Sequence, residues 1–169
     1  FDRSLMRPTE GDEFWLNLRS GARGGMLAID LATRRRLRVN GFFERVNEDE
    51  FVLAVQEAYP NCPKYIQRRV LSWIDSAAPE RAVRVRSGSA LAGEAAEAID
   101  GADTLFIASA HAERGVDVSH RGGNPGFLQR LSDTTFRVPD YAGNSLFNTL
   151  GNLLVDPRAG VTVMDFAGN

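Results

Sequence analysis

The chain has 169 residues, of which 43% are hydrophobic and 25% charged, and its net charge is −2. These values are typical of one soluble globular domain, and they give no reason to expect nucleic acid or a membrane surface as a partner. With one cysteine (Cys62) and two histidines (His111 and His120), the sequence excludes an intrachain disulfide and a multi-histidine metal centre. The single cysteine fits a reducing compartment, so we expect a cytoplasmic protein, and we expect no metal site. No apolar run approaches the roughly 18–20 residues that cross a bilayer.

The first half of the chain predicts short strands. An amphipathic helix and an Arg-containing turn precede a buried strand at 26–29, and strand-like segments follow at 33–39 and 50–59. Asn40-Gly41 and the segment 47–49 carry the residues typical of turns.

An arginine-rich segment lies on the second of these strands. Arg34, Arg36 and Arg38 alternate with Leu37 and Val39, so the arginines share one face of a strand. We expect that face to be solvated rather than to form a binding patch.

The middle of the chain predicts a linker and a helix, and the second half predicts more strands. Segment 77–87 is polar and contains Pro79, which indicates a linker or an edge strand. Segment 89–99 is rich in Ala and Glu and predicts a helix with Ser87 or Ser89 as its N-cap and Gly101 near its end. Strands are then expected at 104–111, 116–121 and 134–138, with a hairpin turn at 113–115.

The chain repeats itself over a long interval. Asn17-Leu18, Arg23, Gly25 and Asp30 recur 135 positions later as Asn152-Leu153, Arg158, Gly160 and Asp165. Each copy predicts a helix, a turn and a buried strand, which indicates a duplication. The first copy is followed by strands and the second is preceded by them. We therefore expect 1–75 to be the later half of a unit, 76–102 a linker and helix, and 103–169 the earlier half, together forming one permuted barrel domain.

Two clusters of hydrogen-bond donors are suited to phosphate. The first places Ser119, His120 and Arg121 just before Gly122 and Gly123, where a ligand can approach the backbone. The second opens a predicted helix over 145–155, whose free N–H groups favour an anion. The alternative is a glycine-rich hairpin loop followed by an ordinary helix cap.

The number of short strands and hairpin turns predicts a mainly antiparallel barrel with a few flanking helices. Segments 104–166 and 23–68 resemble the pyridoxamine 5′-phosphate oxidase-related superfamily, the FMN-binding split β-barrels. The resemblance is carried by segments 106–111, 117–123, 136–144, 147–152 and 156–160, and, for the other half, by 33–41 and 60–67. It is closest to the larger members with two units in tandem.

The resemblance implies that FMN binds at the junction of two barrels, usually in a homodimer. Residues on the second strand and at the start of the following helix would hold its phosphate, and others would lie beside the flavin or reach it from the neighbouring unit. The cofactor-binding residues implied in this way are Ser119, His120, Arg121, Gly122, Pro139, Asp140, Tyr141, Asn148, Thr149, Lys64 and Tyr65.

One pair of residues departs from the family pattern, and another pair allows a second interpretation. The oxidases proper carry an Arg-Lys pair where this chain has Asn148-Thr149, which places more weight on Arg121 and argues against pyridoxamine phosphate as substrate. Lys64 and Tyr65 could instead be a solvated lysine and a core tyrosine after a proline turn.

The leading hypothesis is an FMN-binding oxidoreductase acting on an unidentified small molecule, with no catalytic residue assigned. The alternatives are a non-catalytic flavin- or anion-binding module, or a scaffold without cofactor. A hydrolase built on Asp117, Ser119 and His120 is disfavoured, because neighbouring residues of one strand point to opposite faces. We expect a homodimer with shared or exchanged elements, since one barrel can use only one of the two repeat copies in a given position.

Overall fold

The computed structural model describes Phe14 and residues 17–47, 50–72 and 86–166. In the first half, three strands form an antiparallel sheet in the order β1-β2-β3: β1 Arg23–Asp30, β2 Arg35–Arg45 and β3 Phe51–Pro60. The sequence predicts strands at 26–29, 33–39 and 50–59, and β2 continues beyond its predicted end to Arg45. The predicted linker at 77–87 lies mostly outside the described residues.

The second half contains two further antiparallel sheets and two helices with described bounds. The elements are α1 Glu94–Gly101, β4 Thr104–His111, β5 Gly115–Gly122, β6 Gln129–Ser132, β7 Thr135–Arg137, α2 Asn148–Val155 and β8 Ala159–Val163. One sheet has the order β5-β4-β8 and the other pairs β6 with β7. The mainly antiparallel β class is confirmed. The described strands fall into three separate sheets and close no barrel, so the split-barrel type stays a prediction.

The two halves of the chain meet where β1 and β2 lie against β5. Arg23 Nη2 on β1 donates to the carbonyl oxygen of Glu113, at the turn before β5, over 2.9 Å. Among the described strands β1 pairs only with β2, and β5 only with β4. Side chains rather than a backbone ladder therefore join the two sheets.

The apolar core lies beneath α1. Its buried cluster consists of Ile99, Ala102, Leu105, Phe127 and Leu128, of which Leu105 is fully buried. Leu91, Phe136, Val138 and Val163 pack against this cluster from the rim. Burial of these side chains is the main force that fixes α1 on the sheet.

The helix α1 begins later than the sequence predicted. Its N-cap is Gly93, with φ 55°, and neither Ser87 nor Ser89 caps it. Glu94 and Glu97 lie in the first turn, where the helix dipole favours carboxylates. The end at Gly101 agrees with the prediction. No helix among the described residues is both long and apolar enough to pass through a membrane.

The expectation for the arginine-rich strand is wrong. Arg34 lies in the turn before β2 with φ 57°, and Arg38 is only 6% exposed, whereas Leu37 is 41% exposed. Arg36 and Arg38 point toward β5, where they find hydrogen-bond acceptors. Burial of a guanidinium is tolerated when such partners surround it.

The Asn40-Gly41 signal is not a turn: both residues lie inside β2, opposite a β-bulge at Gln56 of β3, where the register of the pairing shifts. A Cβ at Gly41 would overlap the backbone of Ala54 on β3, so the glycine permits this close approach. The chain instead reverses after β2, where Val46 N donates to the Glu50 carbonyl oxygen over 2.9 Å.

Candidate functional site

A cavity of about 440 Å³ lies between the segment after β3, the end of β5 and the segment 138–147 before α2. Its volume falls in the range of small-molecule binding sites. Nine of the residues predicted to bind a cofactor line it: Lys64, Tyr65, Ser119, His120, Arg121, Gly122, Pro139, Asp140 and Tyr141. The structure therefore brings together residues that are up to 77 positions apart, as in the hydrogen bond from Tyr65 to Ala142.

Arg36 gives the cavity wall a positive charge that no carboxylate of the described residues neutralises. Its Nη1 donates to the carbonyl oxygen of His120 over 3.3 Å, and its Nη2 donates to that of Cys62 over 2.8 Å. Burial, and next the neighbouring Arg38, lower the pKa of Arg36 to about 10. The guanidinium therefore remains charged at neutral pH while its hydrogen-bond partners are neutral.

Besides Arg38, which is paired with Asp117, two further cations line the same cavity. Lys64 is exposed and has no salt-bridge partner among the described residues. Arg121 is 23% exposed, and its Nη1 lies 3.0 Å from Oδ1 of Asp140. That contact uses one of the guanidinium nitrogens and leaves N–H groups on the other two for a ligand. The arrangement favours an anion.

His120 is a neutral side chain next to these cations. Arg36 Nη1 lies 3.1 Å from His120 Nδ1, and because a guanidinium only donates, we assign the proton to Nε2. Burial, and next the charge of Arg36, lower the pKa of His120 to about 4. His120 therefore adds no charge at neutral pH, and its ring packs edge-on against Phe106 at 5.7 Å.

Behind the cavity lies a buried polar network centred on Asp117. Arg38 Nη1 contacts both carboxylate oxygens at 3.0 Å, and Arg38 Nη2 donates to Ser119 Oγ over 2.8 Å. The hydroxyl of Thr149 donates to Asp117 Oδ2 over 2.8 Å, and that of Tyr59 to Oδ1 over 3.4 Å. The network ties β2, β3, β5 and α2 together. It shows that Asp117 and Ser119 share a face, as the strand period predicted.

Asn148 and Thr149 lie in the first turn of α2, as predicted, but the helix begins at Asn148 rather than at 145 and their side chains point away from the cavity. Thr149 is 2% exposed and bonded to Asp117, and Asn148 Nδ2 donates to the Tyr59 hydroxyl over 2.9 Å. Neither residue lines the cavity. Both side chains point toward the sheet because α2 packs on β4 and β5.

An aromatic pair holds the segment 138–147 against the rest of the site. The rings of Tyr65 and Tyr141 stack with centroids 5.0 Å apart and 29° between their planes, and the Tyr65 hydroxyl donates to the Ala142 carbonyl oxygen over 2.9 Å. Tyr65 is 40% exposed, so it is not the core tyrosine of the alternative interpretation. Tyr65 and Ser145 both adopt positive φ angles, of 66° and 60°. Such backbone strain tends to cluster at functional sites.

The sequence did not identify every residue of the cavity. The sequence assigns Arg36 and Arg38 to a solvated face, and it assigns residues 145–147, which also line the cavity, to the helix over 145–155. The signal that could have located the arginines was the presence of Asp117 and Ser119 on one face of a predicted strand. Among the described residues, no three His, Cys, Asp or Glu side chains are placed to hold a metal ion together.

Comparisons of the chain with models of protein families, with curated proteins and with solved structures gave no match.

Proposed function

We propose that this chain binds FMN in the cavity and that it is a flavoprotein of the oxidoreductase type. The observation that carries the proposal is the set of cations on the cavity wall: Arg36 and Lys64 lack a carboxylate partner among the described residues, and Arg121 has only one. A dianionic phosphate would satisfy this excess of positive charge. The mainly antiparallel sheets and the resemblance of segment 104–166 to the FMN-binding split barrels point in the same direction.

The residues present fit a ligand with a phosphate and an extended aromatic ring. Guanidinium groups suit phosphate oxygens because their N–H groups match them two at a time. Tyr65 and Tyr141 are 40% and 43% exposed, so their stacked rings offer an aromatic surface next to the cations. Gly122 lies at the same wall, and a Cβ there would overlap the backbone of Tyr65.

Each side chain has a separate role in this proposal. Arg121 and Lys64 bind the phosphate, and Arg36 supplies a fixed positive potential from the less exposed part of the wall. Tyr65 and Tyr141 contact the ring and exclude water from one side of it. When bound, FMN supplies the electron-transfer chemistry, so the chain needs no acid–base pair of its own. Asn148 and Thr149 are not assigned to the ligand, because their hydrogen bonds hold α2 to the buried network.

The test is a titration of the purified chain with FMN, in which binding is measured by the quenching of flavin fluorescence. Arg121→Ala should weaken binding about ten- to a hundredfold, because a charge-assisted hydrogen bond to phosphate is worth about 1.5–3 kcal/mol. Arg137→Ala is the matched control, since Arg137 is an exposed arginine on β7 outside the cavity. Equal affinity in the parent and Arg121→Ala would show that Arg121 does not bind the phosphate.

A non-catalytic module that binds FMN or another phosphorylated ligand would use the same cations. The two functions differ in turnover, because only the oxidoreductase passes electrons between the flavin and a second molecule. Oxidation of a reduced nicotinamide by the FMN-loaded chain, above the rate with free FMN, would favour the enzyme.

A further inference from the structure

The side chain of Asp140 places a carboxylate inside the cavity, at the position where an anionic ligand would contact Arg121. Asp140 Oδ1 lies 3.0 Å from Arg121 Nη1, and both side chains are within reach of solvent, at 52% and 23% exposure. Both residues line the cavity. A carboxylate and a phosphate offer a guanidinium the same kind of acceptor oxygen.

Asp140 belongs to the segment that covers the cavity. The next residue, Tyr141, stacks on Tyr65, and Ala142 accepts the Tyr65 hydroxyl. The segment from 138 to 147 contains no regular secondary structure. One ion pair, one aromatic stack and one hydrogen bond therefore hold residues 140–142 of this segment in place.

We infer that Asp140 is a specificity-determining residue, which competes with the phosphate of a ligand for Arg121. This inference rests on the proposed function and concerns the same cavity. A phosphorylated ligand must displace the carboxylate from Arg121 before it can use that guanidinium fully, and the two negative charges repel each other. A ligand without a phosphate leaves the ion pair in place and gains nothing from its removal. Asp140 thus lowers the affinity of the cavity for phosphorylated ligands and leaves its affinity for unphosphorylated ones unchanged.

The inference predicts the opposite sign from a direct role of Asp140 in holding the ligand. With Asp140→Asn, FMN should bind about two- to fivefold more tightly, since partly exposed ion pairs of this kind are weak. The affinity for riboflavin, which has the same ring but no phosphate, should not change. Inorganic phosphate should also bind more tightly to the variant than to the parent, so its dissociation constant, obtained from competition after correction for the FMN affinity, should be lower in the variant.

The experiment measures the affinities of FMN, riboflavin and inorganic phosphate for the full chain, by flavin fluorescence and by competition. Asp133→Asn is the matched control: it removes one carboxylate that is 78% exposed and lies 3.7 Å from Arg130, outside the cavity. Circular dichroism shows whether each variant is folded.

Tighter FMN binding with unchanged riboflavin binding in Asp140→Asn supports the inference. Unchanged or weaker FMN binding overturns it, and so does an equal gain for both flavins, which would mean that the variant merely loosens the covering segment. If the folded parent binds no FMN, the proposed function fails. The affinity of inorganic phosphate, measured directly by calorimetry, then tests the inference: tighter binding in Asp140→Asn supports it, and unchanged or weaker binding overturns it.

Discussion

The buried contact between Arg38 and Asp117 should be the most sensitive electrostatic interaction in the protein. Both side chains are almost fully buried, at 7% and 2% exposure, and both carboxylate oxygens lie 3.0 Å from Arg38 Nη1. Asp117→Asn keeps the shape of the side chain but leaves the guanidinium without its counter-charge. It also turns an NH₂ group toward donors that previously met an oxygen. Breaking a buried pair in this way costs about 3–5 kcal/mol.

For a chain of this length, that loss corresponds to a decrease in Tm of roughly 6–20 °C. Thermal and urea unfolding of the flavin-free chain, followed by circular dichroism, measure it. Asp133→Asn removes the same charge from an exposed ion pair and should change the free energy of unfolding by less than about 1 kcal/mol. If Asp117→Asn is as stable as Asp133→Asn, Arg38 is solvated and the buried network does not exist.

Three further variants test the acid sensitivity of the fold at His120 and the packing of β2 on β3 at Gly41, with Gly151 as the control for the latter. As pH falls from 7 to 5, the unfolded chain protonates His120 before the folded chain does, because the pKa of His120 is about 4 in the folded protein. The free energy of unfolding of the parent should therefore decrease by about 2 kcal/mol more than that of His120→Gln. Equal decreases in the urea midpoints of the two proteins would mean that His120 accepts the proton while the chain is folded. Gly41→Ala should cost about 1–3 kcal/mol because its Cβ meets the backbone of Ala54. Gly151→Ala on α2 meets no atom within 4 Å and should be neutral or stabilising in the same denaturation assay, and equal effects of the two variants would contradict the bulge.

The strands could be predicted from the sequence because their pattern is local. β4 has the bounds predicted from its alternating residues, and β5 and β3 differ from the prediction by one residue at each end. The turn residues at 113–115 also predict the hairpin before β5, where Gly115 adopts a φ angle of 104°. Asn40-Gly41 misled for the same reason: a glycine serves a turn and a bulge equally well, and only the strand opposite decides between them.

The buried charges could not be predicted, because their partners are distant in sequence. Arg38 and Asp117 are 79 positions apart, and a charged residue on a strand is exposed unless it finds such a partner. Thr149 was assigned to the ligand for a related reason: the first turn of a helix offers its N–H groups to an anion, but the rotation of α2 directs this hydroxyl to Asp117. The cavity residues on β5 and on 139–141 were located because the resemblance placed them on continuous segments.

The central claim is that the cavity binds a phosphorylated flavin. The most direct measurement is gel filtration of the chain after incubation with excess FMN, and in parallel with riboflavin, with visible absorbance recorded across the protein peak. FMN should co-elute with the protein and riboflavin should be retained less, because only FMN engages the cations of the cavity wall. A colourless protein peak after incubation with FMN, or equal retention of the two flavins, would contradict it.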